Sequence, residues 1–205
     1  NSGQIGGRRN IVYNGEMKVA QRSTSETGLG AASGYFTLDR WNMAAGSTAG
    51  RFTMAQVADG PAGIANCLKL TTTTADTSIA AGEVLILQTK FEGQDGRSIT
   101  QSFAVTTAWN RIELTFAADT SDPLDDDTAA SFAINIWLHA GSTYTGGTFA
   151  VNTWNDNTNA NRYAVADRTS IFDATSRTFF ITGIQMEIGT QATDFESRSY
   201  SEELA

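Results

Sequence analysis

TFFITGIQMEIGTQATDF, residues 178–195, is the stretch whose reading decides the fold. Phe180, Ile184, Met186 and Ile188 fall on one parity; Phe179, Ile181, Gln185 and Glu187 fall on the other. A period of two over this length predicts a strand with one face on a core. The first half is apolar on both parities, so it is expected to be covered on both faces. Gly189 ends the run. A late strand this hydrophobic needs partners made earlier in the chain. The C-terminal end is therefore expected to arrive between elements already laid down and to close the fold.

Working outward, the same alternation recurs. In 132–139, Phe132, Ile134, Ile136 and Leu138 face one way, and Asn135, Trp137 and His139 the other. In 109–116, Ile112, Leu114 and Phe116 face in, and Arg111, Glu113 and Thr115 out. Further strands are expected at 11–13, 35–43, 52–57, 68–72 (carried on by exposed threonines to 74), 84–91 and 98–106, with one helical turn over 79–82. Adjacent Asp39 and Arg40 inside 35–43 predict a buried or half-buried ion pair, because a lone buried charge is too costly to keep. Asn14-Gly15, Asp59-Gly60-Pro61 and Gln94-Asp95-Gly96 are turns. About ten to twelve strands with almost no helix read as an all-β chain, a β-sandwich of jelly-roll type. Residues 1–10 read as an arm or linker and 11–205 as one β-sandwich domain.

The bulk composition agrees. Of 205 residues 18 % are charged, below the roughly 25 % usual in globular proteins, while 40 % are hydrophobic. The deficit of charge is filled by Thr, Ser, Asn and Gly, residues of strands and polar turns. A net charge of −8 argues against nucleic acid or an anionic membrane as partner. The single cysteine, Cys67, excludes an intrachain disulfide and is expected to pack as a small apolar residue. No apolar run approaches the ~20 residues that span a bilayer. The opening Asn1-Ser2-Gly3-Gln4 has neither an initiator methionine nor a secretory leader pattern, which points to a piece of something longer.

Four groups of residues carry a resemblance. They are Gly6-Gly7-Arg8-Arg9-Asn10; Asn14-Gly15-Glu16-Met17-Lys18-Val19-Ala20-Gln21-Arg22; Leu38-Asp39-Arg40-Trp41; and Gln185-Met186-Glu187-Ile188-Gly189 with Asp194-Phe195-Glu196-Ser197-Arg198-Ser199-Tyr200. In this order, and across nearly the whole chain, they resemble the C-terminal domains of tail-fibre and tail-associated proteins of tailed bacteriophages, especially marine ones. The resemblance implies a carbohydrate-binding-module-like jelly roll that recognises a host surface glycan. It implies a homotrimer on the virion tail among other tail proteins, made in the host cytoplasm and extracellular when mature. The chain departs from the family in two places. The family carries a further strand pair between the matches to Glu92-Gly93-Gln94-Asp95 and Arg97-Ser98, so a discontinuity is expected near Asp95–Arg97. It also continues past the match to Glu203-Leu204-Ala205, so a longer tail is expected.

Motifs for chemistry are scarce. The chain has no Walker loop, HExxH, nucleophile elbow or paired CxxC. His139 has no neighbouring nucleophile and reads as structural. A glycosidase needs two carboxylates about 5–10 Å apart; Asp39, Glu92, Glu187 and Glu196 are the candidates, but the sequence does not bring any two together. Asp125-Asp126-Asp127 supplies hard oxygens for Ca²⁺ yet lacks EF-hand spacing, and reads as a solvated turn. No catalytic residue, metal or cofactor is assigned.

Sugar binding needs a flat aromatic face beside planar amide or carboxylate groups. Asn135 and Trp137 share one strand face, and Tyr144, Trp154, Asn155 and Asp156 lie in the long polar excursion 140–168 that follows. These are the candidate sugar contacts. Packing of Trp137 under that excursion or against another subunit is the competing reading. Trp41 and Trp109 are expected in the core. Beside non-cleaving glycan recognition stand a purely structural fibre, adaptor or baseplate-associated segment and, more distantly, a glycan depolymerase.

Overall fold

β-Branched and alternating apolar runs become strands wherever a neighbouring strand completes their hydrogen bonding. The computed structural model describes residues 8–91, 97–121, 132–156, 158–163 and 168–204. In chain order the strands are β1 (Ser25–Leu29), β2 (Asn42–Gly46), β3 (Arg51–Val57), β4 (Cys67–Thr74), β5 (Val84–Phe91), β6 (Arg97–Ser98), β7 (Phe132–Ala140), β8 (Asn155–Asp156) and β9 (Thr178–Ile181). One helical turn, α1 (Tyr200–Glu203), follows. The chain is thus mostly β, in antiparallel sheets ordered β1-β3-β4-β9, β2-β5-β7 and β6-β8. Among the described residues no helix is long and apolar enough to cross a membrane.

Alternation places Phe52 and Met54 of β3, Leu68 and Leu70 of β4, and Leu85 and Leu87 of β5 out of water. With Met43, Trp41, Leu138, Phe172 and Phe179 they form one hydrophobic cluster drawn from both larger sheets. Cys67 is also buried, and burial pushes its thiol up. Thr72, expected among exposed threonines, is also buried and donates to the Ile171 carbonyl at 2.7 Å.

Several expected elements take another form. The C-terminal stretch does not insert between strands. Only β9 joins a ladder, pairing with β4 at the sheet's edge, with Phe179 buried and Phe180 half-buried under the Lys69 ammonium. Beyond it the chain runs beside the N-terminal segment: Ile184 N donates to Gly15 O (3.0 Å) and Ile11 N to Met186 O (2.9 Å). Ile188 is fully exposed. Residues 11–13 form no strand; they lead into the turn at Asn14-Gly15.

Within 35–43 the chain turns at 37–40, where Arg40 takes φ +70°, and the strand begins only at Asn42. The Asp39–Arg40 ion pair does not form: Asp39 binds Arg22 at 2.7 Å, and Arg40 lies exposed over the Tyr13 ring. Residues 79–82 make a turn at 81–82 and no helix. Of 98–106 only Arg97–Ser98 is strand, and 109–116 contains none. Trp109, expected in the core, is 41 % exposed; its Nε1 donates to Asp59 O at 3.1 Å. Trp41 is fully buried as expected. The discontinuity expected at Asp95–Arg97 and the Asp125-Asp126-Asp127 turn fall on residues 92–96 and 122–131, which lie outside the described residues.

Asn10, Asn14, Asp39, Trp41, Met186, Glu196 and Arg198, drawn from the four groups that carry the resemblance, meet in one clasp. Asn14 sits at φ +53°, its main-chain N–H donating to the buried Glu203 carboxylate and its side chain bridging Val19 and the Asp39 carbonyl. Trp41 Nε1 donates to Asn14 O at 3.0 Å. Asn10 is buried, its N–H donating to Glu196 Oε2 and its Oδ1 accepting from Val12 and Met186. Arg198 donates to the Asn10 carbonyl. Gly15 is required at its position, because a Cβ there would stand 2.1 Å from Ile184 O. The C-terminal turn α1 is itself fixed by a capping box between Ser199 and Glu202.

Candidate functional site

The candidate site lies on the face of β2-β5-β7 opposite the core. On β5, Leu85, Leu87 and Thr89 are buried, which leaves Ile86 and Gln88 on the other face. Register places Trp137 opposite Ile86 and Asn135 opposite Gln88. Gln88 Nε2 donates to Asn135 Oδ1 at 2.6 Å, so two planar amides lie side by side, Asn135 exposed. From the excursion after β7, Tyr144 and Tyr163 reach the Trp137 ring, with centroids 5.4 and 6.2 Å away and tilted planes. Tyr163 N donates to Tyr144 O, which ties the two phenols together. Burial pushes the Tyr163 phenol up. Trp137 is half-buried beneath these rings.

The structure thus gathers Asn135, Trp137 and Tyr144 in one patch. Trp154, Asn155 and Asp156 form another group: Asn155 pairs with Ser98 and Asp156 with Arg97 in the β6–β8 ladder, while Trp154 Nε1 donates to Ala117 O at 2.7 Å. Gln88 and Tyr163 belong to the first patch and were not singled out from sequence. Pairing β5 with β7 by their alternation would have placed Gln88 across from Asn135.

The carboxylates weighed for hydrolysis are occupied elsewhere, apart from Glu92, which lies outside the described residues. Asp39 is bound to Arg22. For Glu187, burial pushes the carboxyl up, but donors from Thr193 N, Thr193 Oγ1 and Gln185 outweigh it and hold it low. The Asn10 N–H holds Glu196 low, against burial and with help from Arg8. Two open clefts, of about 410 and 330 Å³, lie at Glu113, Thr115 and Gln191 and at Gln21, Arg22, Tyr35 and Asp39, away from the predicted sugar contacts.

His139 shows where alternation misleads. Leu85 faces His139 while Ile86 faces Trp137, so Leu138 is an extra residue in β7, a β-bulge. The bulge turns His139 off the face of Asn135 and Trp137 and into full burial. Its ring contacts Ser170 Oγ (2.7 Å) and Glu83 Oε2 (3.0 Å). Hydrolases use a hydroxyl, an imidazole and a carboxylate in this order. Here Ser170 Oγ, on a half-buried residue, also accepts the Phe172 N–H as a helix cap, and the imidazole is fully buried.

Set beside known proteins, the chain matches no family model, no curated protein and no solved structure.

Proposed function

We propose that the chain is a non-catalytic glycan-recognition domain of a virion tail fibre or related tail appendage, its two larger sheets forming a jelly-roll-type sandwich. The observation that carries this reading is the patch on β5 and β7, where paired amides of Gln88 and Asn135 adjoin the Trp137, Tyr144 and Tyr163 rings. Tilted rings offer a hydrophobic rest for the apolar side of a pyranose, and planar amides both donate to and accept from its hydroxyls. A shallow patch binds weakly, and trimeric display multiplies weak contacts. Binding to an array of bacterial surface polysaccharides tests it. Trp137→Ala and Tyr144→Ala are expected to weaken binding at least about tenfold, a loss of roughly 1.4 kcal/mol. Trp154→Ala, in the separate group, is expected to leave it within about twofold on the same arithmetic. Absence of any bound glycan, or equal loss from all three variants, would overturn the assignment.

One observation favours a structural role alongside or instead. Trp109, Ile112, Leu114 and Phe116 are 41, 39, 36 and 41 % exposed along one ribbon. Apolar surface of this kind is a surface for association, and here the second reading makes it the contact between subunits of a trimeric fibre.

A further inference from the structure

One deeply buried polar cluster has no part in the glycan reading. Asp76, Glu83 and His139 are 6, 4 and 0 % exposed, and one ligand-type atom from each lies within 4.8 Å of the others. Asp76 follows β4 of the four-stranded sheet, Glu83 precedes β5, and His139 follows the bulge in β7 of the three-stranded sheet. The cluster therefore joins the ends of the two larger sheets.

His139 and Asp76 are each held by groups outside the cluster. His139 Nδ1 is engaged by Ser170 Oγ at 2.7 Å, which aims Nε2 at Glu83 Oε2, 3.0 Å away. Asp76 Oδ2 accepts from Thr48 Oγ1 (3.0 Å), Ala49 N (2.9 Å) and Gly50 N (3.2 Å). Burial pushes the Asp76 carboxyl up, but these donors, together with a hydrogen bond to Glu83, outweigh it and keep it below its ordinary value. Outer hydrogen bonds that fix a ring nitrogen and a carboxylate are the arrangement by which proteins orient metal ligands.

The charge of the corner is compatible with a bound cation. Two neighbouring carboxylates out of water need a proton or a cation between them. A divalent ion held by two carboxylates and a neutral imidazole leaves the corner without net charge.

We propose that Asp76, Glu83 and His139 form a structural site for a single divalent transition-metal ion of the zinc class, stapling the two sheets. Mixed nitrogen and oxygen donors suit such an ion, whereas Ca²⁺ takes six to eight oxygens. Donors about 2.1 Å from one ion stand no more than about 4.2 Å apart, so a small rotation of these side chains closes the site.

The untagged chain, stripped with a chelator and dialysed, is titrated with Zn²⁺, with Co²⁺ and with Ca²⁺ as comparison. Expected are one Zn²⁺ per chain, a rise in Tm that EDTA reverses, visible Co²⁺ absorption of a low-coordinate site, and no response to Ca²⁺. The chain has one histidine, so its imidazole proton resonances report ligation without ambiguity. The double variant Asp76→Asn/Glu83→Gln, which keeps the shapes and removes the charges, is expected to lose both the ion and the Zn²⁺-dependent rise. A wild-type chain that binds no ion, or whose His139 resonances are unmoved by Zn²⁺, overturns the site. So does a variant that keeps the full response. If the variant does not fold, the wild-type stoichiometry and histidine resonances decide alone.

Discussion

Strand β7 and residues 109–116 carry nearly the same instruction. Each alternates large apolar residues with polar ones, yet β7 is laddered to β5 along its length and the other segment belongs to no strand. Leu138 is 9 % exposed, whereas Ile112, Leu114 and Phe116 are 36–41 % exposed. Segment 109–116 is tied down by side chains: Trp109 to the Asp59 carbonyl, Arg111 to the Thr193 carbonyl, and the Thr115 carbonyl to Gln101. Alternation states which side chains would share a face. Whether that face is dry depends on a partner strand, and β5 reaches β7 but not the ribbon. The ribbon's apolar parity thus stays partly exposed, and the structural reading proposed above uses it for contact between copies.

The largest effect is expected in β7. Leu138→Ala is expected to destabilise the fold by about 2–4 kcal/mol in urea unfolding, as for other buried leucines. A cost under ~0.5 kcal/mol would be the value expected of an exposed site and would erase the contrast. In the ribbon the double variant Ile112→Lys/Leu114→Lys is expected to change the stability of a single chain by about 0.5 kcal/mol or less. The same variant is expected to dissociate any trimer that the parent forms in analytical ultracentrifugation. A parent that is monomeric at high concentration removes the interface reading.

A pH-dependent effect is expected in a third case, residues 182–196, which leave the ladder after β9 but are held by the N-terminal segment. Glu196, which accepts from the Asn10 N–H, has its carboxyl held low in the folded chain. Its contribution is complete above the unfolded value of about 4.3 and is lost as pH falls through the lower folded value. Glu196→Gln is expected to cost about 1 kcal/mol at pH 7. That difference should shrink below about pH 4 in parallel melts of the two proteins. A gap that stays constant to pH 2 would mean that the charge on Glu196 is irrelevant to the clasp.

Much of the scaffold was legible. The runs at 52–57, 68–74, 84–91 and 132–139 became β3, β4, β5 and β7 with small shifts of boundary, because each is long, β-branched or aromatic, and paired along its length. Position 35–43 was not, because Arg40 adopts a left-handed φ that nothing in its residue type advertises. The shared face of Asn135 and Trp137 was readable because the period of two holds up to Trp137. It fails one residue later, at the Leu138 bulge, and so the burial of His139 and its contact with Glu83 stayed hidden. Asp76, Glu83 and His139 come together only through sheet topology, which spacing along the chain does not encode.

The clasp between residues 10–15 and 184–203 has a mechanical consequence. A pull applied to both ends of the domain would load that small set of side-chain bonds in parallel before any tension reached the sheets. The molecule would bear force as a buckled loop does, slack inside and taut at the fastening, so the patch on β5 and β7 would keep its shape until the fastening opened.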